Sequence, residues 1–293
     1  MTVSLEQDLL RRIEDLVKRR AVTDRRMGNI WMLVPLLPIL LVIALVAAFV
    51  QAIAPMLPNL QALQENVAAN SLVAQLLGLY ASAIVSIYLL FFLLSLALYY
   101  LIDRRNNHIK RQQLLSQTLV KYLETRTKAV SPRPSKLAEL CDESTYEEQD
   151  RPAGIWAILN LFVTPIVSLV VAFNLTQDLS KHDIRQINFQ ENLAATFTEI
   201  GVTPPSLASQ KPLKRDTILF LLLTFITAGF FWIYWFYTLL KDYNEHFANQ
   251  AHFEDRMLAA LKPTPHGGNC RSCGGSVPET AKYCPFCGTS QTS

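Results

Sequence analysis

Charged side chains vanish from four stretches of the chain, residues 28–50, 71–102, 154–173 and 217–240. Each holds about 20 residues or more, enough to cross ~30 Å of hydrocarbon at ~1.5 Å per residue, so the pattern predicts four spanning helices. The second stretch would reach ~48 Å as one helix, so its first part is expected along the membrane surface, with a break near Gly78. Between these stretches the period changes. In "SLEQDLLRRIEDLVKRR", Leu5, Leu9, Ile13, Leu16 and Val17 fall on one helical face and charges on the other. That face could pack inside the protein, lie on lipid or zip with a partner. Leu115, Leu119, Tyr122 and Leu123 form a second stripe, and Phe247, Phe253, Met257, Leu258 and Leu261 a third, predicting helices that run on from the spans into a bundle.

Composition agrees with a membrane class: 51% of residues are hydrophobic and only 17% charged. Ala52-Ile53-Ala54 has the form of a leader cleavage site, but Pro55 follows it and a long polar segment precedes the span, so an uncleaved anchor is expected. With four spans, 22 Lys and Arg residues lie on the side of the two termini and five, all within 174–216, on the other. The positive-inside rule then places both termini in the cytoplasm, at the plasma or inner membrane. Lys211, Lys214 and Arg215 are the discordant cluster. A net charge of +3 reflects this bias and need not imply a nucleic-acid partner, and with only Arg271 and Lys282 as basic groups in the tail none is expected.

An internal repeat organises the chain. "DRRMGNIW" (24–31) recurs as "DRPAGIW" (150–156), and "QENVAA" (64–69) as "QENLAA" (190–195), both at an offset of 126. Asn106 and His108 match Asn244 and His246 at an offset of 138, which names these four as a possible paired polar site across a pseudo-twofold axis. The predicted organisation is an amphipathic helix (1–23), membrane repeat 1 with its cytoplasmic helix (24–130), a linker (131–149), repeat 2 with its helix (150–262), a hinge (263–269) and a cysteine-rich tail (270–293). The expected fold is an all-α polytopic membrane protein with four transmembrane helices in two parallel two-span repeats, cytoplasmic helical extensions and a small C-terminal zinc ribbon.

Cys270 and Cys273 form one C-x2-C pair, Cys284 and Cys287 another. Four thiolates at ~2.3 Å close a tetrahedral site, and Gly274 and Gly288 supply the turn each knuckle needs, so structural Zn2+ is expected; iron and a pair of disulfides are the alternatives. The run Tyr283-Cys284-Pro285-Phe286-Cys287-Gly288 resembles the short zinc-ribbon family, which serves as interaction module, nucleic-acid binder or appendage. Cys141 stands alone and is read as a bystander thiol.

The fourth stretch resembles an uncharacterised prokaryotic membrane-domain family through Thr227, Gly229, Tyr234, Trp235, Tyr237, Asn244 and His246. That resemblance implies no activity. The chain carries no phosphate loop, nucleophile elbow or HExxH pair, so no enzyme is expected. The expected role is a membrane scaffold, assembly or regulatory protein acting through the ribbon and bundle on a protein partner or a second copy. The alternative is a small channel or transporter along the pseudo-twofold axis.

Overall fold

The structure is a computed structural model that describes residues 2–54, 66–127, 133–200, 202, 204, 214–262, 266–269, 272, 276–278, 283 and 289–290. Eight α-helices follow in order among them: α1 (Thr2–Thr23), α2 (Leu37–Ile53), α3 (Asn66–Thr127), α4 (Arg133–Glu147), α5 (Ala153–Phe162), α6 (Thr164–Glu199), α7 (Thr217–Ile226) and α8 (Phe231–Leu261). A 3-10 segment, Asn29–Leu36, leads into α2. His266–Asn269, expected as the end of the hinge, pairs antiparallel with Ser276–Pro278. Cys270, Cys273, Cys284 and Cys287 lie outside the described residues.

Among the described residues two helices are long and apolar enough to cross a membrane, Asn29–Ile53 and Val73–Thr127. The expected third and fourth spans are different: each is broken in its middle and folds back on itself. Val163 leaves the helical region (φ −132°, ψ 48°) two residues before Pro165, which has no N–H to continue the ladder and whose ring would clash with the Leu161 carbonyl in an unbroken helix. In the other, Ala228 (φ 50°) and Gly229 (φ 94°) turn the chain left-handed, and the Thr227 hydroxyl then accepts the Phe231 N–H at 2.9 Å to start α8. Thr227 and Gly229, the T-x-G of the sequence pattern, are thus the hairpin turn.

Both hairpins are pinned alike. The Asn160 side chain accepts from Ser168 at 2.8 Å and donates to Ser95 of α3 at 3.0 Å, while Phe220 stacks edge-on against Phe231 and Trp235. At their open ends Arg151 clamps Asp178 through Nε and Nη2 (2.6 and 2.8 Å), and Arg215 clamps Asp242 (3.0 and 2.9 Å). Arginine and aspartate are 27 residues apart in both pairs. The described residues therefore form three helical hairpins: a long one in which Asn29–Ile53 packs on α3, and two short ones, α5–α6 and α7–α8.

Two apolar cores stack along the hairpins. One joins Leu98, Leu101, Leu175, Trp235 and Phe236. The other joins Ile13 and Val17 of α1 with Leu119, Leu123, Phe197 and Met257. The α1 stripe thus packs internally. Because α6 enters this second core with Phe189, Leu193 and Phe197, the segment after residue 173, expected as an outer loop, shares a bundle with α1 and the ends of α3 and α8. The supposed linker is helix α4, whose Leu137 and Cys141 fill the same core.

Candidate metal centre

Between the two apolar cores lies a polar layer, and α3, α6 and α8 each deliver one histidine to it. His108, His182 and His246 form a nearly equilateral triangle of rings, with centroids 5.4, 4.9 and 5.1 Å apart and planes steeply inclined to one another. The potential ligand nitrogens all lie within 4.8 Å of one another. His108 Nε2 and His246 Nε2 are 3.0 Å apart.

Each ring has its other nitrogen on a carboxylate. His108 Nδ1 lies 3.0 Å from Asp24, His182 Nδ1 3.0 Å from Glu148, and His246 Nδ1 2.6 Å from Asp183. Those acids are held in turn. Arg111 binds Asp24 at 2.7 Å and the fully buried Glu254 at 2.9 Å; Ser144 and Arg185 bind Glu148 at 2.7 and 3.0 Å. Burial pushes Asp24 up, yet His108 and Arg111 overcome it and hold this carboxyl well below the usual range. Burial likewise raises Glu148, but His182, Ser144 and Arg185 bring it down to about 2. Both remain anionic acceptors.

A carboxylate only accepts, so the proton of neutral His182 belongs on Nδ1 and its lone pair on Nε2; His108 Nδ1 lies near Asp24 without hydrogen-bond geometry, and its Nε2 shares a hydrogen bond with His246. Burial keeps His246 below the ordinary histidine range despite the upward pull of Asp183, which favours that neutral form. The His182 Nε2 atom is buried and meets no hydrogen-bond partner. Three Nε2 atoms therefore converge, two of them hydrogen-bonded to each other, beside a space lined also by Arg105, Asp178 and Tyr243, whose cavity volume is about 10 Å³. That is room for one water or one ion. Tyr243 is not free to join, because its hydroxyl donates to the Leu175 carbonyl at 3.1 Å.

The paired polar site expected from sequence is thus half of this arrangement. His108 and His246 meet as the repeat implies, but Asn106 and Asn244 turn away and clasp backbone. Asn106 accepts the Arg151 N–H at 3.1 Å and donates to the Arg151 carbonyl; Asn244 does the same with Met27, at 3.1 and 2.9 Å. Each half fastens the entry of the other. His182, Glu148, Asp24 and Asp183 were missed. The signal for His182 was present as Asp178-x3-His182 and Asp242-x3-His246, with Arg151 and Arg215 each 27 residues before the aspartate, a repeat at an offset of 64.

Compared with family models, curated proteins and solved structures, the chain matches none.

Proposed function

We propose that the protein is an integral membrane scaffold or regulatory protein whose three hairpins are fastened by a divalent transition-metal ion on His108, His182 and His246. The observation that carries this is the convergence of three Nε2 atoms, each ring with a carboxylate beside Nδ1. Two of them share a hydrogen bond at 3.0 Å, and a cation that takes the place of its proton gains all three as ligands. Tetrahedral imidazole ligands at ~2.0–2.1 Å from zinc stand about 3.3 Å apart, close to the His108–His246 separation. Imidazole sets suit zinc, iron, nickel and copper. The room beside the ligands takes one water and no organic substrate, which supports a fastening or sensing role over catalysis.

In this reading the long hairpin spans the bilayer and the two short ones enter it half-way from the cytoplasmic side. Their apolar tips, Phe162 and Ile226, are each 77% exposed, and a 10-residue helix reaches only ~15 Å. All Lys and Arg residues then share the cytoplasmic face, and Lys211, Lys214 and Arg215 cease to be discordant. Cys270, Cys273, Cys284 and Cys287 hold a second, structural Zn2+ in a ribbon that meets a protein partner. The alternative, a route along the axis between repeats, has less support, since Trp235, Phe236, Leu98 and Leu175, drawn from α3, α6 and α8, close into one core with almost no exposure.

Elemental analysis of the purified full-length protein tests the reading. Two metal ions per chain are expected, one remaining in Cys284→Ser/Cys287→Ser and one in His108→Ala/His182→Ala. A cysteine variant without any metal would remove the histidine centre.

A further inference from the structure

The three hairpins are not equivalent at one place, and the difference is a charge inversion. Four residues before His182 stands Asp178, and four before His246 stands Asp242; each receives the arginine that opens its hairpin. Four residues before His108 stands Arg104. The long hairpin opens with Arg25 and Arg26, so here arginines share a notch with another arginine.

Arg104 is only 4% exposed. Its Nη1 donates to Asn244 at 3.0 Å, and its guanidinium sits 5.2 and 5.8 Å from the rings of Tyr243 and Phe247. Nε and Nη2 are buried and have no partner. These two N–H groups form the edge with which Arg151 and Arg215 grip their carboxylates. A buried cation with that edge empty is costly unless an anion from outside takes it. Arg104 lines a cavity of about 410 Å³ together with Arg25, Arg26, Trp31, Tyr100 and Asp103. Asp103 is the one carboxylate in this lining, against three guanidiniums, and it accepts from Asn107 at 3.0 Å. Neither Arg25 nor Arg26 has an ion-pair partner among the described residues.

We infer that this cavity binds a phosphate anion, presented by the headgroup of an anionic membrane lipid. The phosphate replaces the aspartate that the other two hairpins build in, taking the Nε and Nη2 edge of Arg104 with Arg25 and Arg26 around it. The surroundings match a bilayer interface: Trp31 and Tyr100 meet edge-on at 5.4 Å, and the adjoining Ile30 and Leu33 are 69% and 51% exposed, offering apolar surface to acyl chains. The lipid source rests on the membrane-spanning reading proposed above; the cavity itself needs no metal on the histidines.

The test uses full-length, delipidated protein in detergent, with retention read by native mass spectrometry and thermal midpoint by fluorescence. Probes are phosphatidylglycerol, phosphatidylcholine and inorganic phosphate. Phosphatidylglycerol should bind at least tenfold more tightly than phosphatidylcholine, whose own ammonium offsets its phosphate, and should raise the midpoint. Two variants should lose that preference: Arg104→Asp, which places there the aspartate found in the other hairpins, and Arg25→Gln/Arg26→Gln at two exposed positions. Should Arg104→Asp fail to fold, the second variant decides. Inorganic phosphate matching the effect of phosphatidylglycerol at equal anion concentration keeps the phosphate site but makes its source soluble. An undiminished preference in the Arg25→Gln/Arg26→Gln protein, or none in the wild type, overturns the assignment.

Discussion

His108 Nε2 lies 3.0 Å from His246 Nε2 across 138 residues of sequence, each ring held from behind by a carboxylate on a different helix or loop. That contact brings together α3 and α8. An ion at this point, joined by His182 of α6, ties all three hairpins, so its removal should be felt by the whole bundle. Occupancy at a hundred times Kd contributes ~2.7 kcal/mol. A chelator that strips the centre should therefore lower the thermal midpoint of wild type by several degrees, and leave that of His108→Ala/His182→Ala unchanged. The comparison is made in the Cys284→Ser/Cys287→Ser background, so that metal on the cysteines does not contribute.

The carboxylates behind the histidines should matter almost as much as the ligands. In Glu148→Gln the amide no longer demands a proton on His182 Nδ1, and the ring loses its fixed tautomer. Outer partners of this kind are worth about 10–100-fold in metal affinity. Competition with a chromophoric chelator should show that loss in Glu148→Gln and in Asp183→Asn. Glu139→Gln, on the same helix as Ser144 but exposed, should titrate as wild type.

The sidedness of α6 separates the four-span reading from the hairpin reading. Lys181 and Lys262 are both exposed, and both belong to the bundle that contains α1. Single cysteines at Lys181 and Lys262, in a background with the native cysteines replaced, should react with a membrane-impermeant maleimide from the same side. Gln51→Cys should react from the opposite side. Labelling of Lys181→Cys together with Gln51→Cys would restore the four spans.

Much of this architecture was legible in the chain. The apolar stretches, the amphipathic stripes of α1, α3 and α8, and the pairing of His108 with His246 all follow from period and repeat. The broken helices were not, because charge-free length counts residues without saying whether they run straight. Pro165 and the Ala228-Gly229 turn were visible, but proline and glycine are common in continuous membrane helices. His182 was lost for a related reason: assigning residues 174–216 to the far side put it across a membrane from its partners. The buried acids Asp24 and Glu148 sat in segments whose composition reads as solvated, and only packing of α4 against α3 and α6 brings Glu148 inward.

The reciprocal asparagine clasps should be equivalent in cost. Asn244 makes two backbone bonds to Met27 and accepts from Arg104; Asn106 makes two to Arg151 and accepts from Arg105. Replacing either by alanine leaves partly buried backbone groups unpaired, at ~1–3 kcal/mol for each group so exposed. Asn106→Ala and Asn244→Ala should each lower the thermal midpoint to a similar degree. Asn107→Ala, whose exposed side chain donates to Asp103 one turn away on the same helix, should not.

Cys141 supplies the pH dependence with the clearest sign. Burial pushes its thiol up to about 12, with Asp142 adding to the rise, whereas an unfolded thiol titrates near ~8.5. The folded state therefore resists ionisation that the unfolded state welcomes. The contribution is whole below about pH 8.5 and shrinks as pH climbs toward 12, at up to ~1.4 kcal/mol per pH unit. Between pH 7.5 and 10.5 the thermal midpoint of wild type should fall more steeply than that of Cys141→Ala. At pH 7.5 the native thiol should be inert to iodoacetamide and become reactive on denaturation. Equal slopes for the two proteins would mean that Cys141 is wetter than its 5% exposure indicates, and that α4 opens away from the core it helps to fill.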